Sequence, residues 1–138
     1  MRRALDAVLR GLLWILLIIF LSVDAARARD IGQWGNADPE IRAWYQSLMQ
    51  PDVPTASCCG SADAFFCDEV YVKEGKTFCR ITDDRPDEPL GRPHVPIGTV
   101  IEIPNNKLKW DRGNPTGHAI VFLSKGGYVF CFVQGGGT

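Results

Sequence analysis

The sequence predicts a mainly β domain, a small antiparallel β-roll or barrel, with one N-terminal amphipathic helix and stabilising disulfide bonds. Three observations predict this class. Beyond residue 60 the chain consists of short runs rich in β-branched and aromatic residues, separated by turn residues. One earlier segment carries apolar residues at helical spacing. All five cysteines follow an apolar leader that is typical of exported proteins.

Residues 1–28 have the features of a signal peptide. Arg2, Arg3 and Arg10 provide a basic start, and residues 11–21 form an unbroken apolar run. Ala-Arg-Ala at residues 26–28 offers small side chains where a signal peptidase cleaves. Because a membrane span needs about 20 apolar residues, the short run favours cleavage over a retained anchor. We therefore expect a periplasmic or secreted protein with no stable membrane span after processing.

The processed chain has room for a single mainly β domain at residues 29–134, followed by a flexible glycine-rich tail at 135–138. The leader carries four basic and two acidic residues, so the formal charge falls from −1 to −3 on cleavage. Nucleic acids are bound through clustered positive charge, so no nucleic-acid partner is expected. An envelope protein or a small ligand is a suitable partner class.

The predicted helix covers residues 39–49. Asp38 can cap the first free amides, and Pro39 suits the first helical turn. Pro51 prevents the helix from continuing. The apolar stripe of this helix consists of Ile41, Trp44, Tyr45 and Leu48.

Two short β-rich runs joined by Glu74-Gly75 predict a first hairpin. With a two-residue turn, Tyr71 faces Phe78 and Glu69 faces Arg80. A longer, bulged loop is the alternative. In the first register one face is apolar and consists of Val70, Val72, Cys79 and Ile81.

The most strongly indicated hairpin comprises residues 118–123 and 128–133, with both faces apolar, as expected for a central element. If Lys125-Gly126 is the turn, Ile120 faces Cys131 and Val121 faces Phe130.

The segments between the hairpins predict one strand at residues 99–103 and surface loops elsewhere. Residues 82–96 form a long, proline-rich loop whose acidic residues lack calcium-loop spacing and are expected to be solvated. These acidic residues are Asp83, Asp84, Asp87 and Glu88. A solvated loop is also expected for the basic residues Lys107, Lys109 and Arg112. Core packing is expected for the aromatic residues Trp34, Trp44, Tyr45 and Trp110.

Export makes disulfide pairing the default for Cys58, Cys59, Cys67, Cys79 and Cys131. Their odd number leaves at least one of them free, metal-bound or joined to another chain. The adjacent Cys58 and Cys59 should have different partners, and one of them is expected to bond to Cys131. With the two-residue turn, a Cys67–Cys79 bridge exceeds the allowed Cα separation, and it becomes conceivable only in the bulged register.

A copper or zinc site is an alternative use of the same groups. Cys58, Cys59, His94 and His118 are thiol and imidazole ligands that zinc and cuprous copper prefer. Apart from the adjacent cysteines, however, no pair of them has the close spacing of structural zinc sites.

A cysteine hydrolase is a second alternative. Residues 117–122 and the glycine turn after them are similar to the histidine hairpin of papain-like cell-wall peptidases. This similarity would make Cys58 or Cys59 the nucleophile and His118 its base. Two features count against it: no long helix can follow Cys59 to lower the thiol pKa, and residues 128–133 contain no side chain to orient the imidazole. A non-enzymatic protein is therefore favoured.

Several segments of the processed chain form a fairly specific pattern: WYQSL at 44–48, CCG at 58–60, PLGRPH at 89–94, KLKW at 107–110 and NPTGH at 114–118. Together they resemble a group of small exported bacterial proteins. The resemblance covers most of the processed chain and implies a periplasmic or secreted location, but it assigns no activity to any residue. Cys67 and Cys79 do not belong to this pattern.

We therefore expect an exported, non-enzymatic binding or envelope-accessory domain. Long loops and a strand end can converge on one surface, and such loops commonly carry binding residues. The candidate binding-loop residues are Arg92, His94, Lys107, Trp110, Asn114, Thr116 and His118.

Overall fold

A computed structural model describes residues 38–59 and 62–136. The predicted signal peptide, the start of the predicted domain and the last two residues of the predicted tail lie outside these ranges. The elements are helix α1 (Pro39–Ser47), strands β1 (Ala62–Phe66), β2 (Glu69–Lys73) and β3 (Lys76–Arg80), the short helical turn α2 (Asp87–Leu90), strand β4 (Val100–Ile103), a 3-10 turn (Asn105–Lys107), and strands β5 (Leu108–Lys109), β6 (Ile120–Ser124) and β7 (Val129–Val133). No helix in the described part of the chain is long and apolar enough to cross a membrane.

The strands form two sheets. The larger sheet has the order β1-β6-β7-β5, in which β5 pairs parallel with β7 and the other pairs are antiparallel. The smaller sheet, β2-β3-β4, is antiparallel throughout. Within the described residues the prediction of a mainly β fold is confirmed, with helix α1 preceding the strands, but these strands do not close into a barrel.

Helix α1 begins as predicted, because the Asp38 carboxylate accepts a hydrogen bond from the Glu40 amide at 2.8 Å. It ends at Ser47 rather than at residue 49. The backbone turns extended at Leu48, whose carbonyl accepts a hydrogen bond from the Cys58 amide at 2.9 Å. The loop after the helix is therefore tied back to the helix end.

The first hairpin has the predicted two-residue register, with Tyr71 opposite Phe78. Glu74 and Gly75 both have positive φ, 52° and 73°. This pair of left-handed residues is what a tight hairpin turn requires. The predicted apolar face is only partly covered, because β2 is an edge strand and Val72 remains 71% exposed.

The register predicted for the central hairpin is wrong. Ile120 pairs with Val133 and Val121 with Phe132, followed by a bulge. The loop spans residues 125–127 and ends at Gly127, whose φ is 82°. A longer loop with a left-handed final residue and a bulge is a common hairpin form. The glycines after Lys125 permit either this loop or the shorter turn.

The central hairpin is apolar on both faces, as predicted, and each face belongs to a separate core cluster. One cluster fills the space between the two sheets and consists of Phe65, Cys67, Cys79, Ile81, Ile103, Ala119, Val121, Leu123, Val129 and Phe132. The other consists of Leu48, Cys58, Ile120, Phe122, Cys131 and Val133, with Trp44 and Tyr45 of α1 packed against it. Helix α1 thus covers the outer face of the hairpin.

Each core cluster contains one disulfide. Cys58 bonds to Cys131 across a sequence separation of 73, which is the predicted tie between the adjacent cysteines and the central hairpin. Cys67 bonds to Cys79 across a separation of 12. Two disulfides in so small a domain indicate an oxidising environment.

The Cys67–Cys79 bridge corrects an expectation from the sequence, because it coexists with the two-residue turn at a Cα–Cα distance of 5.6 Å. The prediction extended β2 straight back through Cys67. Instead, the Cys67 amide donates to the Ala119 carbonyl of the larger sheet at 2.8 Å. The chain bends between the sheets at Asp68, which brings Cys67 beside β3 rather than beyond its end.

Candidate functional site

A buried ion pair anchors the loop between β3 and β4. The side chains of Asp83 and Arg92 are 1% and 3% exposed, and Arg92 Nη1 donates to Asp83 Oδ2 at 2.6 Å. Arg85 donates to the same carboxylate through Nε and Nη2, at 2.8 and 2.6 Å. The expectation of a solvated acidic loop is wrong for Asp83, because two guanidinium groups and the Phe66 amide compensate for its burial.

The charges of this pair are locked in place. Burial alone would raise the pKa of Asp83, but hydrogen bonds from Arg85 and Arg92 outweigh it and hold the pKa well below its ordinary value of 3.8. Burial would likewise lower the pKa of Arg92, yet the bonds to Asp83 and Asp87 keep this pKa above its ordinary value. Both arginines also donate to the Ala64 carbonyl of β1. The pair therefore holds the loop on the larger sheet and is unsuited to proton transfer.

The network reaches the surface through Asp87. Arg92 Nε donates to Asp87 Oδ1 at 2.9 Å, and Asp87 Oδ2 lies 2.7 Å from His94 Nδ1. The His94 side chain is 75% exposed. Of the two predicted binding residues on this loop, Arg92 is a buried structural group and His94 is open to solvent.

A second surface feature, which we call the His118 cluster, comprises Phe66, Asp68, Arg85 and His118. The His118 ring stacks on Phe66, with centroids 4.0 Å apart and planes 14° apart. The Arg85 guanidinium lies 3.7 Å from the same Phe66 centroid. Two groups so close to one ring centre would overlap on the same face, so Phe66 lies between them.

Asp68 holds the His118 imidazole from the side. Asp68 Oδ2 lies 2.8 Å from His118 Nδ1, and Asp68 Oδ1 accepts a hydrogen bond from the Ala119 amide at 2.8 Å. The imidazole is therefore held by a ring contact and a carboxylate, yet its side chain remains 45% exposed. A carboxylate at Nδ1 fixes the ring orientation and leaves Nε2 to meet a ligand.

The sequence did not identify three members of this cluster. Phe66, Asp68 and Arg85 are all distant from His118 in the chain, and Asp68 is separated from it by 50 residues. The strand after His118 contains no side chain that could orient the imidazole, and the carboxylate comes instead from the connection between β1 and β2. No spacing signal links these positions.

Cys59 is a free cysteine, and its thiol is unsuited to nucleophilic chemistry. Its Sγ donates to the Tyr45 carbonyl at 3.2 Å, and burial raises its pKa to about 12. The thiolate is the nucleophilic form, and Cys58 is occupied in a disulfide. Asp68 does supply a carboxylate that orients the imidazole of His118, but the Cys59 thiol bonds to the Tyr45 carbonyl and not to this histidine. The cysteine and histidine therefore do not form the arrangement that the hydrolase alternative requires.

We expect the Cys59 thiol to resist iodoacetamide in the folded protein at neutral pH and to react once the chain is unfolded without reductant. Intact mass spectrometry over time measures both rates. A Lys125→Cys variant in a Cys59→Ser background provides the exposed reference thiol. Labelling of folded wild-type protein as fast as this reference would contradict the burial of Cys59 and restore it as a candidate nucleophile.

The predicted copper or zinc ligands do not assemble into a metal centre. Cys58 is disulfide-bonded, and His94 and His118 pair with different carboxylates. Within residues 38–59 and 62–136, no three side chains of the His, Cys, Asp and Glu types are close enough to share a metal ion.

The solvent exposure of Lys107 and Trp110 is the opposite of what the sequence predicts. Lys107 is not in a solvated loop: its side chain is 4% exposed and Nζ donates to Asp52 at 2.6 Å. Burial would lower the pKa of Lys107, but the bond to Asp52 raises it. Trp110, expected in the core, is 71% exposed. Lys107 is therefore a structural residue, and Trp110 is available to a partner.

Asn114 organises the loop before β6. Its Nδ2 donates to the carbonyls of His118 and Gln134, at 2.8 and 3.0 Å, and its Oδ1 accepts from the Thr116 hydroxyl at 2.7 Å. This buried amide shapes the loop that leads into His118, while Thr116 stays partly exposed. Asn114 therefore supports the site and does not itself face a ligand.

Comparisons with protein-family models, curated proteins and solved structures find no match for this chain. Of the seven predicted binding-loop residues, three (Arg92, Lys107 and Asn114) are buried supports. The accessible ones are His94, Trp110, Thr116 and His118.

Proposed function

We propose that the protein is an exported, non-enzymatic binding domain that acts in the periplasm or outside the cell, with the His118 cluster as its ligand site. The leader and the two disulfides support the location. The ligand is an envelope protein or a small polar molecule that hydrogen-bonds to the imidazole.

The observation that carries this proposal is the state of His118, a half-exposed side chain that contacts both an aromatic ring and a carboxylate. Stacking on Phe66 and pairing with Asp68 fix the imidazole before any ligand arrives. A pre-organised polar group loses little conformational entropy on binding, so its hydrogen bond contributes more to affinity.

The remaining groups have complementary roles. Phe66 offers part of an aromatic ring beside the imidazole, and Arg85, whose side chain is 25% exposed, adds a positive charge. The buried Asp83–Arg92 pair keeps this arginine and its loop in position. Because His118 and Arg85 cover the two faces of Phe66, a ligand that places a hydrogen-bonding group at the imidazole and an apolar group at the edge of the Phe66 ring matches this arrangement.

Two ionisable groups outside the His118 cluster, Cys59 and Asp83, are unsuited to catalysis. The Cys59 thiol is protonated at neutral pH because its pKa is raised to about 12. Asp83 is held as a charged partner of two arginines, so it cannot act as a general acid at neutral pH.

Site-specific photo-crosslinking in living cells tests the proposal. A photoreactive amino acid replaces Thr116, close to His118, and in a separate protein replaces Lys125, at the opposite end of β6. We expect adducts at position 116 and none at position 125. Intact mass spectrometry detects both protein and small-molecule adducts.

The matched variant is His118→Ala in the position-116 protein, with circular dichroism confirming the fold. We expect adduct yield to fall by about tenfold, the effect of losing one contact of about 1.4 kcal/mol. Equal yields at positions 116 and 125, no adduct at position 116, or a yield unaffected by His118→Ala would each refute the His118 cluster as the ligand site.

A further inference from the structure

We propose that two copies of this protein associate through strand β2, which pairs antiparallel with β2 of the second copy and joins the two smaller sheets into one. This inference is independent of the proposed function, because β2 contributes none of the His118 cluster.

Strand β2 is an exposed edge strand. It is the last strand of the smaller sheet in the described part of the chain, and all five of its residues are exposed. Its pairing with β3 is regular, without a bulge or a proline. Edge strands of monomers are commonly protected by bulges, prolines, short length or charged side chains, and β2 has only the last two of these. Val70 and Val72 are 40% and 71% exposed on the face that elsewhere forms the core.

The backbone of this edge is arranged for pairing. Lys73 and Lys76 flank the two-residue turn, so this residue pair exchanges both backbone hydrogen bonds. Bonded and non-bonded pairs then alternate along the hairpin. Val70 and Val72 are consequently the residues whose N–H and C=O groups point away from β3.

The side chains of β2 are complementary to those of a second β2 strand that runs in the opposite direction. In antiparallel pairing centred on Tyr71, Glu69 lies opposite Lys73 of the second copy, and Val70 lies opposite Val72. Val70 and Val72 have the N–H and C=O groups that point away from β3. The register that pairs opposite charges therefore also allows hydrogen bonds between the two β2 backbones. Among the registers that the outward amides allow, this one pairs all five residues.

The surroundings favour the same register. Lys73 faces Lys76 across the hairpin. Lys76 is already paired with Glu102 at 2.9 Å, and a carboxylate from the second copy would add an opposite charge beside Lys73. Glu69 already forms an ion pair with Arg80 at 2.8 Å. In the new contact between Glu69 and Lys73, the lysine therefore gains more from an opposite charge than the glutamate does. On the outer face, Tyr71 stacks on Phe78 with centroids 5.5 Å apart, and the second copy extends this aromatic row.

A single strand pair buries less surface than a standard stable interface of about 1,600 Å². We therefore expect a weak dimer with a dissociation constant between about 1 µM and 1 mM. Sedimentation velocity of the purified, oxidised, processed protein across that range measures it. A monomer at every concentration overturns the proposal.

Charge reversal tests the register. Lys73→Glu and Glu69→Lys each place like charges opposite one another and are expected to weaken the dimer by about tenfold. The double variant restores opposite charges, and we expect affinity within about threefold of wild type. Lys125→Glu makes the same charge change away from β2 and should leave the dimer unchanged. Equal dimerisation of wild type and Lys73→Glu overturns the register.

Hydrogen exchange distinguishes pairing of β2 with a second copy from coverage of β2 by another segment of the same chain. The amides of Val70 and Val72 should become protected as the concentration rises into the dimer range. Protection of both amides in the monomer at low concentration would mean that another segment of the same chain covers the edge, and this too would overturn the proposal.

Discussion

Removing the Cys58–Cys131 bridge, in a Cys58→Ala/Cys131→Ala variant, is expected to lower the free energy of unfolding by about 4 kcal/mol. The bond closes a sequence separation of 73, and its chain-entropy contribution grows with the length of the closed loop. The bridge also joins the segment after α1 to the central hairpin within a buried cluster. Since small domains are stable by only about 5–15 kcal/mol, the variant should be close to unfolding at growth temperature.

The second disulfide provides the matched comparison. Cys67→Ala/Cys79→Ala opens a separation of only 12, and we expect a loss of about 3 kcal/mol. Urea unfolding of both double variants and wild type, without reductant, measures the difference. Double variants are needed because a single Cys58→Ala change would leave Cys131 free to bond to Cys59. If the Cys67→Ala/Cys79→Ala variant were the less stable of the two, loop length would not be the main determinant of the stability that each disulfide contributes.

Asp83→Asn is expected to cost about 3 kcal/mol, the lower end of the effect of removing one partner from a buried ion pair. The substitution keeps the shape of the side chain but leaves Arg92, which is 3% exposed, and Arg85 facing a neutral group. Urea unfolding measures the loss at neutral pH. Glu69→Gln is the control, because its ion pair with Arg80 lies on the surface and should contribute less than about 1 kcal/mol. Equal costs for the two variants would contradict the burial of Asp83.

The same variant should change the response to acid. The pKa of Asp83 in the folded protein lies below its ordinary value of 3.8, so its contribution to stability is complete above that value. It is lost as the pH falls further, through the lowered pKa of the folded state. We therefore expect wild type to lose stability more steeply than Asp83→Asn below about pH 4. Parallel curves would show that Asp83 titrates normally in the folded protein.

These effects also bear on the proposed ligand site. Asp83 holds Arg85, and Arg85 lies against Phe66 on the side opposite His118. Loss of the ion pair should therefore loosen the loop and the aromatic stack together. Because β2 lies in the other sheet, the same substitution should leave its pairing with a second copy intact.

Local chemistry made part of this structure predictable from the sequence. Asp38 and Pro39 specify a helix start through groups that act within one turn. Glu74-Gly75 permits the tight turn that sets the register of the first hairpin. The tie to Cys131 was predictable because the predicted export favours pairing and one of two adjacent cysteines needs a distant partner.

Other features were decided only by the tertiary structure. The bend at Asp68 brings Cys67 beside Cys79 and also places a carboxylate against His118. Both results depend on how the two sheets pack, which no spacing along the chain expresses. The burial of Asp83 and Lys107 likewise depends on charged partners supplied by the fold. Charged residues in a loop are solvated unless the fold provides a compensating group. Local sequence can therefore specify turns and caps, whereas the partners that make a buried charge or a fixed imidazole stable come from distant segments.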